Sequence, residues 1–87
     1  MAGNKILIAV IVNGQPATVE ANAHAPLKTI IEKALHETGN AGQPAENWEL
    51  RDTAGALLDV DRKIEDFGFP PDVRLFLNLK AGIGGGR

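Results

Sequence analysis

Lys5-Ile6-Leu7-Ile8-Ala9-Val10-Ile11-Val12-Asn13-Gly14-Gln15-Pro16-Ala17-Thr18-Val19-Glu20 decides the fold of this chain. Lys5 to Val12 is almost wholly β-branched or aliphatic, and an extended pattern resumes at Thr18-Val19-Glu20. Asn-Gly between two such runs predicts a tight hairpin, because both central positions of a type I′ turn need φ > 0. The turn sets the register: Val12 faces Gln15, Val10 faces Ala17 and Ile8 faces Val19. Ile6, Ile8, Val10, Ala17 and Val19 then share one face of the sheet, and Leu7, Ala9 and Ile11 point to the other. Pro16 lacks an N–H for a ladder, so the second strand belongs at a sheet edge, and the first, apolar on both faces, at its centre.

Outward from the hairpin, Pro26 suits a helix first turn. Leu27, Ile30, Ile31, Ala34 and Leu35 recur at three-to-four-residue spacing as far as Thr38, and Gly39 supplies a left-handed stop. Lys28, Glu32 and Lys33 form the solvated helix face. Gln43 to Glu46 connects to Asn47–Asp52, where buried Trp48 and Leu50 alternate with outward Glu49 and Arg51. Leu57-Leu58 is long enough only for a strand stub. Ile64, Phe67 and Phe69 anchor an irregular stretch or single helical turn, which Pro70-Pro71 breaks. In the last strand Val73, Leu75, Leu77 and Leu79 face one way, and Arg74, Phe76, Asn78 and Lys80 the other. This order predicts an α+β roll: a mixed four- to five-stranded sheet with one main helix packed on one face.

Composition narrows the function. Eighty-seven residues, 44% of them hydrophobic and 23% charged, make one domain. A net charge of −2 without a basic cluster argues against nucleic acid as a partner. The absence of cysteine removes disulfides, thiolate catalysis and thiolate metal sites, and fits a reducing cytoplasm. The run Ile6–Val12 is too short for a membrane span or a signal peptide, so no membrane partner is expected. His24 and His36 lack acids at ligand or triad spacing, and Asp59, Asp61, Glu65 and Asp66 lack the spacing of a calcium loop. No catalytic residue, metal or cofactor is expected, and the protein is read as a non-enzyme. Leu7, Ala9, Ile11 and Phe76 fall on the face opposite the helix, an apolar patch suited to a partner protein.

The stretch Leu58-Asp59-Val60-Asp61-Arg62-Lys63-Ile64-Glu65-Asp66-Phe67-Gly68-Phe69 resembles the segment of ubiquitin between its short fourth strand and its fifth. Val73 to Lys80 followed by Gly84-Gly85-Gly86 is similar to ubiquitin's last strand and its diglycine tail. The resemblance implies a ubiquitin-like β-grasp fold over residues 1–81 and a flexible glycine-rich tail over 82–87, closest to the bacterial ubiquitin-like modifiers of the multi-ubiquitin type. It further implies an E1-like activating enzyme, an E2-like conjugating enzyme, a JAB-type peptidase and a target protein as partners. The chain departs from ubiquitin where Glu49 and Arg51 stand outward in place of its recognition aliphatic, and in carrying Arg87 after the glycines.

Under that resemblance Gly86 is the conjugation site, Gly84 and Gly85 thread the enzymes' narrow channels, and cleavage between Gly86 and Arg87 precedes activation. Glycine lacks a Cβ, so an acyl-adenylate at Gly86 leaves its carbonyl open to a nucleophile. Lys5, Lys28, Lys33, Lys63 and Lys80 are candidate acceptors for chain formation. Two other readings stay open: a sulfur carrier of the ThiS/MoaD type bearing a terminal thiocarboxylate, and a ubiquitin-like interaction module that is never conjugated.

Overall fold

The computed structural model describes residues 5–80. Strands β1 (Lys5–Val12) and β2 (Gln15–Asn22) form the hairpin in the expected register, with Val12 opposite Gln15 and Ile8 opposite Val19. Asn13 and Gly14 both take positive φ, 50° and 86°, as a type I′ turn demands. Helix α1 spans Lys28–Glu37, β3 Trp48–Arg51 and β4 Arg74–Leu79, with single 3₁₀ turns at Ala45–Asn47 and Ile64–Phe67. The sheet order is β2-β1-β4-β3. β1 and β4 run parallel at the centre, and β2 and β3 pair antiparallel outside them.

Alternation along the strands becomes burial on the helix side of the sheet. Ile8, Val10 and Val12 of β1, Val19 and Ala21 of β2, Trp48 and Leu50 of β3, and Leu75 and Leu77 of β4 are all buried. Against them α1 lays Ile30, Ile31, Ala34 and Leu35, with Leu27 just ahead of it. Each buried Val, Leu or Ile side chain contributes about 1.5–3 kcal/mol on burial, and no polar or charged residue is buried among those described.

Both ends of the helix are closed by backbone. At the C-terminus Gly39, at φ +76°, completes a Schellman motif: Asn40 N–H donates to Leu35 C=O at 2.7 Å and Gly39 N–H to His36 C=O at 3.3 Å. At the N-terminus no side chain caps. Leu27 and Lys28 N–H groups instead donate to the Arg62 and Val60 carbonyls, at 2.8 and 2.9 Å. The 60–63 segment thus replaces a cap, and Pro26, expected inside the first turn, stands just before it, bridged to Lys63.

The strand stub at Leu57-Leu58 reduces to one antiparallel bridge between Leu57 and Arg51, plus a Leu58 N–H to Leu50 C=O bond of 2.9 Å. The sheet therefore has four strands among the described residues. The stub still matters, because it covers part of the outer edge of β3.

Candidate functional site

The face of the sheet opposite α1 carries no layer of described secondary structure. Ile11 of β1 lies opposite Phe76 of β4 on one side and Pro16 of β2 on the other, and Phe76 lies opposite Arg51 of β3. Pro16, Ile11, Phe76 and Arg51 thus form one row across all four strands. Ile11 and Phe76 are half-buried, and Pro16 is exposed. Below this row Thr18, Ala9 and Arg74 form a second, and Leu7 opposes Glu20 in a third. Leu7 is 62% exposed, a large aliphatic held in water by its place on the pleat.

The expected patch residues Leu7, Ala9, Ile11 and Phe76 therefore share this face. Ile11 and Phe76 are direct neighbours, and Ala9 and Leu7 continue the stripe down β1. The far end of the row is polar: Arg51 Nε donates to Glu49 Oε2 at 3.1 Å and its Nη1 to the Gly55 carbonyl at 2.8 Å. That pinning leaves the Arg51 guanidinium as an oriented donor beside Phe76 rather than a loose charge. Pro16 and Arg51 are the members that sequence reasoning left out of the patch. Pro16 followed from the Asn-Gly register, whereas Arg51 needed the β3–β4 pairing.

Two further observations come only with tertiary structure. His24 Nδ1 lies 3.2 Å from Glu65 Oε1, so the acid partner that local spacing did not offer arrives from the 3₁₀ turn. Both side chains are about half exposed and no cysteine exists in the chain, so the pair lacks a thiol to activate. Trp48 is 3% exposed, and its indole Nε1–H has no acceptor among the described residues, an arrangement that costs about 1–3 kcal/mol. No group of three or more His, Asp or Glu side chains gathers to hold a metal ion among the described residues. No helix there is long and apolar enough to cross a membrane.

β4 ends at Leu79, and Lys80 N–H donates to the Asn47 carbonyl at 2.8 Å, fixing where the backbone leaves the sheet. Gly84, Gly85, Gly86 and Arg87, the expected conjugation and processing residues, lie outside the described residues.

A mixed β2-β1-β4-β3 sheet with one helix across it defines a ubiquitin-like β-grasp fold. A designed protein based on ubiquitin superposes with a TM-score of 0.74 at 22% identity, covering 97% of this chain and 98% of that one. Ubiquitin of Caldiarchaeum subterraneum superposes with a TM-score of 0.72 at 18% identity, over 93% and 99% of the two chains. The ubiquitin-like domain of an Arabidopsis thaliana protein gives 0.71 at 22%, over 92% and 82%. Within that class, residues 2–85 match the family described as "Protein of Unknown function (DUF2604)", and the chain belongs to it. It is also 59% identical over 81 residues to the uncharacterized protein y4jI of Sinorhizobium fredii, covering 93% of this chain and 62% of that relative's length.

Proposed function

We propose that this chain is a cytoplasmic ubiquitin-like protein modifier of the bacterial type, conjugated through Gly86. The observation that carries the reading is the handover at the end of β4. A central strand of a ubiquitin-like sheet stops at Leu79, its exit is fixed by the Lys80–Asn47 bond, and a glycine run follows in sequence. In this reading a JAB-type zinc peptidase hydrolyses the Gly86–Arg87 amide, with a metal-activated water as nucleophile. The Gly86 carboxylate then attacks the α-phosphate of ATP on an E1-like enzyme, forming an acyl-adenylate and releasing pyrophosphate. A thiolate displaces the AMP, and the resulting thioester passes to an E2-like enzyme and on to an amine or hydroxyl of a target. The chain supplies no catalytic group in this sequence; its open face at Ile11 and Phe76 orients it on its enzymes.

The exposed face also favours a second reading, a ubiquitin-like module that binds partners through Leu7, Ile11 and Phe76 without conjugation. Intact mass spectrometry after co-expression with the proteins encoded beside it separates the two. Loss of one arginine together with an adduct through Gly86 is the expected result. Replacement of one oxygen by sulfur at Gly86 would assign a sulfur carrier. An unchanged mass, with those enzymes demonstrably active, would leave the binding module.

A further inference from the structure

β2 forms one edge of the sheet, and between it and α1 lies a groove of about 660 Å³. The hairpin register turns the backbone groups of Pro16, Thr18 and Glu20 away from β1, out along this edge. In chain order the Pro16 carbonyl, the Thr18 N–H, the Thr18 carbonyl and the Glu20 N–H have no hydrogen-bond partner among the described residues. They alternate acceptor and donor over about 13 Å, four residue steps of a strand. Both ends of the run are blocked: Pro16 has no N–H, and the Glu20 carbonyl accepts from Lys33 Nζ of α1. The groove is also unbalanced in charge, with Glu20, Glu32 and Glu37 in its lining against Lys33 and His36. Glu32 and Glu37 are exposed and make no ion pair among the described residues, whereas Glu20 lies 4.0 Å from Lys5. Buried Val19 supplies an apolar part of the lining.

We propose that this edge takes one short extended peptide of a partner protein, added antiparallel to β2 and carrying basic side chains toward α1. Antiparallel addition gives the peptide residue opposite Thr18 both Thr18 bonds. The residues two places to either side of it take the Pro16 carbonyl and the Glu20 N–H, so the whole run is satisfied. Side chains alternate across a strand, so the two intervening residues stand on the helix side, beside Val19 and facing Glu32 and Glu37. Lys or Arg at those places supplies the missing counter-charge at short range. A second copy of this chain fits poorly, because its own β2 brings the same carboxylates and the blocks at Pro16 and Glu20 stop a longer ladder. Peptide addition at this edge needs no conjugation through Gly86, and conjugation needs no peptide.

The probe is the end-capped pentapeptide Thr-Lys-Val-Arg-Thr, titrated into the isotope-labelled full chain and followed by NMR. Expected are shifts and slowed solvent exchange at the Thr18 and Glu20 amides, with a nuclear Overhauser contact between the Val19 Hα and the Hα of the peptide lysine. The same peptide N-methylated at its central valine cannot donate to the Thr18 carbonyl, and should bind at least tenfold more weakly at unchanged charge. Glu32→Lys with Glu37→Lys, two exposed positions, should weaken the unmethylated peptide at least tenfold. Equal binding of the methylated peptide would leave charge attraction alone and overturn strand addition. Binding indifferent to the two glutamates would overturn a basic peptide as the occupant. Shifts centred on Ile11 and Phe76, or none at Thr18 and Glu20 up to about 10 mM peptide, would overturn the site itself. Shifts of those amides on concentrating the chain without peptide would assign the edge to a second copy and count equally against it. No enzyme is present, so failure here leaves conjugation standing, and failure of conjugation leaves the peptide site standing.

Discussion

Gly39 sits at φ +76° with nothing within 4 Å of where a Cβ would stand, so the cost of a side chain there is conformational rather than steric. Gly39→Ala is expected to lower stability by about 1 kcal/mol in urea unfolding, because the Schellman closure of α1 needs a left-handed residue at that position. Gly42, which also has open space but no positive φ, provides the control, and Gly42→Ala should be near neutral. Buried leucines obey a different rule. Leu50 is wholly buried between α1 and the sheet, so Leu50→Ala should cost about 2–5 kcal/mol through lost burial and a residual cavity. Leu57, only seven residues away but 60% exposed, should tolerate alanine within about 0.5 kcal/mol. Equal losses at the two leucines would show that the stub at Leu57 packs more tightly than its exposure indicates.

Among the elements, β2 carries the sheet's least covered edge. The register turns the backbone groups of Pro16, Thr18, Glu20 and Asn22 away from β1. Pro16 offers no N–H there, Lys33 Nζ occupies the Glu20 carbonyl, and Ala25 N–H occupies the Asn22 carbonyl. The Pro16 carbonyl, both Thr18 groups and the Glu20 and Asn22 N–H groups are left as an interrupted pairing window, which is how an edge strand avoids templating another chain. The double variant Pro16→Thr with Lys33→Ala reopens that edge. Sedimentation velocity should show it associating at concentrations where the unmodified chain does not. If the two sediment alike, the edge is protected by its twist or brevity and not by these two residues.

At the scale of the whole molecule, the two faces of the sheet have separate duties. The helix face holds the domain together, while the open face presents Ile11 and Phe76 at its centre. If the chain is the proposed modifier, Ile11→Ser with Phe76→Ser should lower the rate of adenylation by an E1-like partner at least tenfold, measured by pyrophosphate exchange. Its unfolding midpoint should fall less than that of Leu50→Ala. A variant that is activated normally would remove this face from enzyme recognition, and the modifier reading would then need another docking surface.

The hairpin register, the helix with its buried stripe, the alternation of the last strand and the shared face of Leu7, Ala9, Ile11 and Phe76 were all determined by the sequence alone. Each follows from local periodicity or from one turn with a single geometric solution, Asn13-Gly14. Tertiary structure alone decided the features built from distant segments. Leu27 and Lys28 are capped by carbonyls from residues 60 and 62, and Arg51 joins the Pro16–Ile11–Phe76 row through β4. His24 acquires Glu65, and the groove between β2 and α1 is assembled from three stretches of chain. The physical reason is that such hydrogen bonds and contacts join groups far apart in sequence, where residue periodicity carries no record of what the fold sets side by side.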